Sequence, residues 1–146
     1  MRRYVSLLKE HGLKATFQRI AILETIGHHG HMDVDEIYGA VRQNHPTLSL
    51  ATVYKNIVTM VERNVLTEVP LSGHKSKYEI RKEEHIHLIC RACGSVLDRP
   101  FDEELLTGTD DVARDSAFAL ERRQISLYGL CAACRRESGT DQARLV

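Results

Sequence analysis

Residues 85–98, HIHLICRACGSVLD, place two histidines, two cysteines and an aspartate within fourteen positions. Imidazole and carboxylate suit Fe(II), Mn(II) or Zn(II), whereas thiolate selects zinc or an iron–sulfur cluster. Two donor chemistries side by side point to two metals with different tasks. Cys90 and Cys93 form one Cys-x-x-Cys pair and Cys131 and Cys134 a second, with residues 94–130 between them. Each pair turns tightly enough to offer two thiolates to one ion. Four thiolates in a tetrahedron make a closed structural zinc site, with Zn–S near about 2.3 Å. Such a site holds a fold and has no open position for a substrate. A redox pair or an iron–sulfur cluster is the competing use; a redox pair normally needs only one Cys-x-x-Cys followed by a helix. Gly94 and Gly129, beside the pairs, supply backbone freedom.

The histidines are less specific. His85 and His87 stand at i and i+2, which on a strand puts both imidazoles on one face. Asp98 follows on the next extended run, and Glu79 lies just before a charged break. A metal site and two surface histidines on a polar strand face both fit that pattern.

The composition narrows the classes. A chain of 146 residues with 42% hydrophobic content supports one ordinary core or two small ones. With no Trp and 5% aromatics, a small lobe needs a staple. Formal net charge is zero, and residues 1–80 hold ten Lys/Arg against eight Asp/Glu. Charge alone therefore does not indicate nucleic acid. No apolar run is long enough for a signal peptide or a membrane span, so the expected location is cytoplasmic. Reduced thiols there read as metal ligands before disulfides.

The elements that must position these residues are legible from periodicity. FQRIAILETI places Phe17, Ile20, Leu23 and Ile26 on one stripe, with Thr16 as N-cap. DVDEIYGAVRQNH opens with Asp33 and has Glu36 three residues later, a capping-box start. Its apolar set is Val34, Ile37, Tyr38 and Val41, and Pro46 ends it. A third helix starts at Ser49, with Leu50, Val53, Ile57 and Val61 facing inward. Thr52, Lys55, Asn56 and Thr59 fall opposite, and Tyr54 lies on the flank. Two extended runs then flank Leu71-Ser72-Gly73-His74, a hairpin turn. Three helices and a hairpin are the order of a winged helix-turn-helix, whose polar helix face can enter a major groove. Residues 81–84, RKEE, read as a hinge. Residues 85–134 read as a small α+β unit of strands and one long helix, and residues 135–146 as a polar tail.

Together, GLKATFQR, HMDVDEIY, SLATVYKNI, KYEI, HIHLICRACG and LYGLCAAC resemble the ferric uptake regulator family of bacterial metal-dependent repressors. The resemblance covers nearly the whole chain. It implies an α+β protein with a winged-helix DNA-binding domain over residues 1–80 and a C-terminal α/β dimerisation domain, working as a homodimer on a double-stranded operator. It implies structural zinc on Cys90, Cys93, Cys131 and Cys134. It also implies a regulatory Fe(II) or Mn(II) site of His31, Glu79, His85, His87 and Asp98. His28, His29 and His74 read as solvated. DNA contacts fall to Lys14, Thr52, Tyr54 and Lys55: Tyr54 on a thymine methyl, Lys55 on a base edge or phosphate, Lys14 in the minor groove or on the backbone. The iron-sensing branch often has Arg at the Lys55 position, and Lys lacks the guanidinium fork.

The resemblance also frames the signal. Asp98 matches the peroxide-sensing branch, in which peroxide acting at bound Fe(II) leads to oxidation of a ligand histidine; His31 and His85 are the candidates here. Glu79 instead matches iron sensors. A further site found in iron sensors is expected to be missing, because its positions hold Ile86 and Arg123. Zinc sensors usually use an extra cysteine, and all four here are committed. Peroxide sensing is the expectation, and iron sensing the alternative. A non-haem metal enzyme is the distant alternative: it needs an open metal position, a general base and a cleft, and no further carboxylate clearly plays the base. A redox sensor acting through the cysteines is disfavoured because thiolates on zinc are poor nucleophiles.

Overall fold

A computed structural model describes residues 1–139. The chain divides into two compact units, Met1–Lys82 and the residues from Glu83 onward.

The first unit runs α1 (Arg2–Glu10), α2 (Phe17–His29), β1 (Met32–Asp33), α3 (Val34–Asn44), α4 (Leu50–Glu62), β2 (Leu66–Val69) and β3 (Lys77–Ile80). Side-chain caps set three of the helix starts. Thr16 accepts from the Arg19 N–H at 3.4 Å and Ser49 from the Thr52 N–H at 3.1 Å. Asp33 and Glu36 close a reciprocal capping box on α3. Leu8, Ile22, Leu23, Ile26, Ile37, Val53, Ile57 and Met60 pack the core. The hairpin β2–β3 is antiparallel, and β1 adds to its β3 edge, giving the order β1-β3-β2. This is a winged helix-turn-helix.

Three details depart from the sequence reading. Phe17 and Leu50 are 58% and 43% exposed rather than inward. Each is the first residue of its helix, and side chains there lean N-terminally, past the cap and into solvent. Ile22 and Met60 take their places in the core. Helix α1 and strand β1 are additional to the elements that periodicity displays. The signal for α1 was the i, i+4 pair Tyr4 and Leu8, both buried; two residues of β1 carry no periodicity at all.

The second unit runs β4 (His85–Cys90), β5 (Val96–Pro100), α5 (Glu103–Asp115), β6 (Ile125–Gly129) and α6 (Ala132–Ser138). The sheet order is β5-β4-β6. Strand β5 is antiparallel to β4, and β6 is parallel to it after the α5 crossover. Pro100 sits on the edge strand β5, where a missing N–H is tolerated. The interior is thin: only His87, Ile89 and Cys90 among its described side chains are buried, and α5 buries none. Leu97, Val112, Phe118, Leu127 and Tyr128 are all more than half exposed. In register, Leu88 stands between Leu97 and Leu127, an apolar row across the sheet.

The stretch expected to be a polar tail from residue 135 begins as helix. α6 extends to Ser138 and ends at Gly139, whose φ of 68° is the left-handed C-terminal stop that favours glycine. Residues 140–146 of that tail lie outside the described residues. No helix of the described residues is long and apolar enough to cross a membrane.

Candidate metal centres

The four cysteines converge from two local structures. Cys90 ends β4, and Cys93 sits in the tight turn that leads to β5. The Cys90 N–H donates to the Ser95 carbonyl and the Gly94 N–H to the Cys90 carbonyl, both at 2.9 Å. Gly94 has a φ of 76°, so the glycine freedom expected there is used. Gly129 lies in β6 outside that region and needs none. Cys131 is the N-cap of α6 and Cys134 stands one turn further, so i, i+3 spacing puts both sulfurs on one side. The Arg91 N–H donates to the Gly129 carbonyl at 2.8 Å and ties the two local structures together.

All four sulfurs lie within 4.8 Å of one another, and none is in a disulfide. Cys93 Sγ and Cys131 Sγ are 3.8 Å apart. A tetrahedral ion with Zn–S near 2.3 Å has sulfur–sulfur edges of about 3.8 Å. The backbone N–H of Cys93 and its neighbours push the Cys90 thiol down to about 6. The Ser95 hydroxyl holds Cys93 below its ordinary value. Hydrogen bonding to Cys131, then to Cys90, pushes Cys134 up to about 12. Some of these sulfurs are poised as thiolates while their crowding resists a fourth negative charge. A dication removes that conflict, so the residues fit zinc.

The histidines and carboxylates form two donor groups, one in each unit. In the first unit, β1 and β3 pair Met32 with Tyr78 and Asp33 with Lys77. One step further, that register sets His31 opposite Glu79, and His31 Nε2 lies 2.6 Å from Glu79 Oε2. Glu79 is 2% exposed, so its carboxylate must have a partner. The short strand β1 thus brings together two residues 48 positions apart in the sequence.

In the second unit, His85 and His87 share one face of β4, and Asp98 on β5 is the register partner of His87. Their Nε2 atoms are 2.9 Å apart, and Asp98 Oδ1 lies 3.4 Å from His85 Nε2 and 3.6 Å from His87 Nε2. An ion with N and O donors at about 2.0–2.2 Å spaces adjacent donors roughly 2.8–3.6 Å apart, the same range. His85 Nδ1 lies 2.7 Å from the Glu83 carbonyl. A carbonyl only accepts, so Nδ1 is the donor in that bond and Nε2 is the nitrogen turned toward His87 and Asp98.

The residues expected at DNA all lie in the first unit. Lys14 is exposed in the α1–α2 loop, and Tyr54 and Lys55 are exposed on α4. Thr52 is half-buried, with its hydroxyl 2.9 Å from that of Ser49. Asn56, from the same polar face, is engaged inside the protein. It accepts from Arg19 Nε at 3.2 Å and donates to the Thr52 carbonyl at 2.9 Å. Arg19 also donates to the Lys14 carbonyl at 2.9 Å. Arg19 thus links the Lys14 loop to α4, a contact that periodicity does not display.

A winged helix followed by an α/β unit with a four-thiolate zinc site defines a class of metal-responsive regulators. The model of the Ferric uptake regulator family matches residues 10–128, and the chain belongs to that family. Its members are transcriptional regulators and not enzymes. The chain is 31% identical to a peroxide-responsive repressor of Staphylococcus saprophyticus over 90% of this chain and 88% of the relative. It is 33% identical to a ferric uptake regulation protein of Bordetella parapertussis over 90% of this chain and 96% of that one. The crystal structure of a Campylobacter jejuni peroxide stress regulator superposes with a TM-score of 0.75 at 34% identity. That match covers 89% of this chain and 98% of that one.

Proposed function

We propose that the chain is a peroxide-sensing repressor, active as a cytoplasmic homodimer, whose grip on operator DNA depends on Fe(II) or Mn(II) held by His31, Glu79, His85, His87 and Asp98. The observation that carries this reading is the division of donors. The first unit offers two and the second three, each set too few for a filled shell. One ion drawing on both sets fixes the geometry of residues 81–84, which carry no regular secondary structure. The ion's binding energy then selects one arrangement of the two units, and metal and DNA affinity become reciprocally linked. In the dimer, the row Leu97, Leu88 and Leu127 is the apolar surface to be covered. Its two-fold axis presents two α4 helices to two half-sites.

Fe(II), when held there, would supply the chemistry that cleaves the O–O bond of hydrogen peroxide. His31 and His85 would hold the ion, so that net transfer of one peroxide oxygen to an imidazole ring carbon, with the other leaving as water, would alter a ligand and loosen the site. Asp98 and the peroxide-responsive relatives support this signal. Iron sensing is the second reading, favoured by Glu79 and by the Bordetella relative.

DNA binding is tested by titrating operator with zinc-only and Mn(II)-loaded protein. Mn(II) is expected to tighten binding at least about tenfold, on the scale of ordinary coupling free energies. Tyr54→Ala is expected to lose about 1–3 kcal/mol on operator and almost nothing on random DNA. Equal losses on both would place Tyr54 at the phosphate backbone instead.

A further inference from the structure

Arg123 lies just before β6, and its side chain is only 14% exposed. Its guanidinium reaches three side chains on two segments. Nε donates to Thr109 Oγ1 at 2.6 Å, Nη1 to Glu84 Oε1 at 3.1 Å, and Nη2 to Asp110 Oδ1. Its backbone N–H donates to the other Glu84 oxygen, Oε2. Both oxygens of Glu84 are therefore held by one residue, and that residue is anchored to α5. Glu84 is the residue before His85, and the Glu83 carbonyl fixes the His85 ring through Nδ1 at 2.7 Å. Residues 81–84 form no strand or helix, and the backbone bond of Arg81 N–H to the Val65 carbonyl, at 3.0 Å, lies three residues before Glu84. The grip on Glu84 substitutes for that missing backbone ladder.

We propose that Arg123 is a positioning residue for the regulatory metal, acting through Glu84 and the Glu83 carbonyl to set the orientation and tautomer of His85. This rests on the reading of His85 as a regulatory ligand. Partners of this kind, one bond network beyond the ligands, typically contribute 10- to 100-fold in metal affinity. The same network anchors Glu84 to α5, because Thr109 and Asp110 lie on it.

The test uses the full-length, zinc-loaded protein and Mn(II) as the probe. Arg123→Met and Glu84→Gln are each expected to bind Mn(II) 10- to 100-fold more weakly than the parent, with zinc per chain unchanged. The double variant is expected to be no weaker than the weaker single one, since both break one chain of contacts. In a His85→Ala background, Arg123→Met is expected to change Mn(II) affinity no further, whereas an arginine that merely supported the fold would weaken that protein too. Parent-like Mn(II) affinity in Glu84→Gln overturns the proposal, including where Arg123→Met loses zinc or fails to fold. So does an undiminished effect of Arg123→Met without His85. A parent that takes up no Mn(II) beyond its zinc overturns the regulatory reading and this inference with it. A parent that binds Mn(II) while both single variants match it overturns this inference alone.

Discussion

Cys93→Ser is expected to emerge with less than about a tenth of an equivalent of zinc per chain, with the second unit unfolded and the protein monomeric. The magnitude follows from what else that unit has. Beyond His87, its buried side chains among the described residues are Ile89 and Cys90. A structural zinc contributes an apparent 10–16 kcal/mol at neutral pH, roughly as much as the net stability of a whole domain. Cys93 is the sulfur that meets Cys131 at 3.8 Å, so it joins the β4–β5 turn to the α6 start. A serine hydroxyl at that corner is not a thiolate and leaves three ligands. The first unit, with its own helical core, is expected to stay folded. Metal analysis, sedimentation and circular dichroism read the result. A folded, dimeric, zinc-free variant would contradict the structural assignment.

His87→Ala is expected to separate the two metals. Zinc stays, while Mn(II) affinity falls at least about 100-fold and operator binding no longer responds to Mn(II). The ring is 2% exposed, faces Asp98 in register and lies 2.9 Å from the His85 ring nitrogen. It is therefore central to the donor set of the second unit. Truncating a buried ring also leaves a cavity that costs on the order of a few kcal/mol. His87→Gln, which refills much of the volume, serves as the control and is expected to lose the Mn(II) response while recovering the melting temperature. Normal Mn(II)-dependent operator binding in either variant would remove His87 from the regulatory site.

The local signals proved the readable ones. Asp33 with Glu36, Thr16 and Ser49 each mark a helix start through a bond that spans three residues, so the sequence displays both partners at once. The two Cys-x-x-Cys pairs are likewise local, and only their meeting is a tertiary event. His31 and Glu79 illustrate the opposite case. Their pairing rests on β1, two residues long and without periodicity, and became expected only through the family resemblance. Asn56 and Arg19 show the same limit. Periodicity puts Asn56 on the polar face of α4, but it cannot show that Arg19 from α2 holds it. In the sequence Arg123 signals only the absence of the further iron-sensor site; its contacts to Glu84, Thr109 and Asp110 depend on the α5 crossover.

The most direct test of the central claim is operator binding by Fe(II)-loaded protein before and after brief, low-dose peroxide, followed by mass spectrometry of the peptides holding His31 and His85. Mn(II)-loaded protein is carried alongside. The account predicts that peroxide abolishes binding only in the Fe(II) form and adds one oxygen at His31 or His85. Continued Fe(II)-dependent binding after peroxide, with both histidines unmodified, would contradict it and make the protein an iron or manganese sensor guided by Glu79.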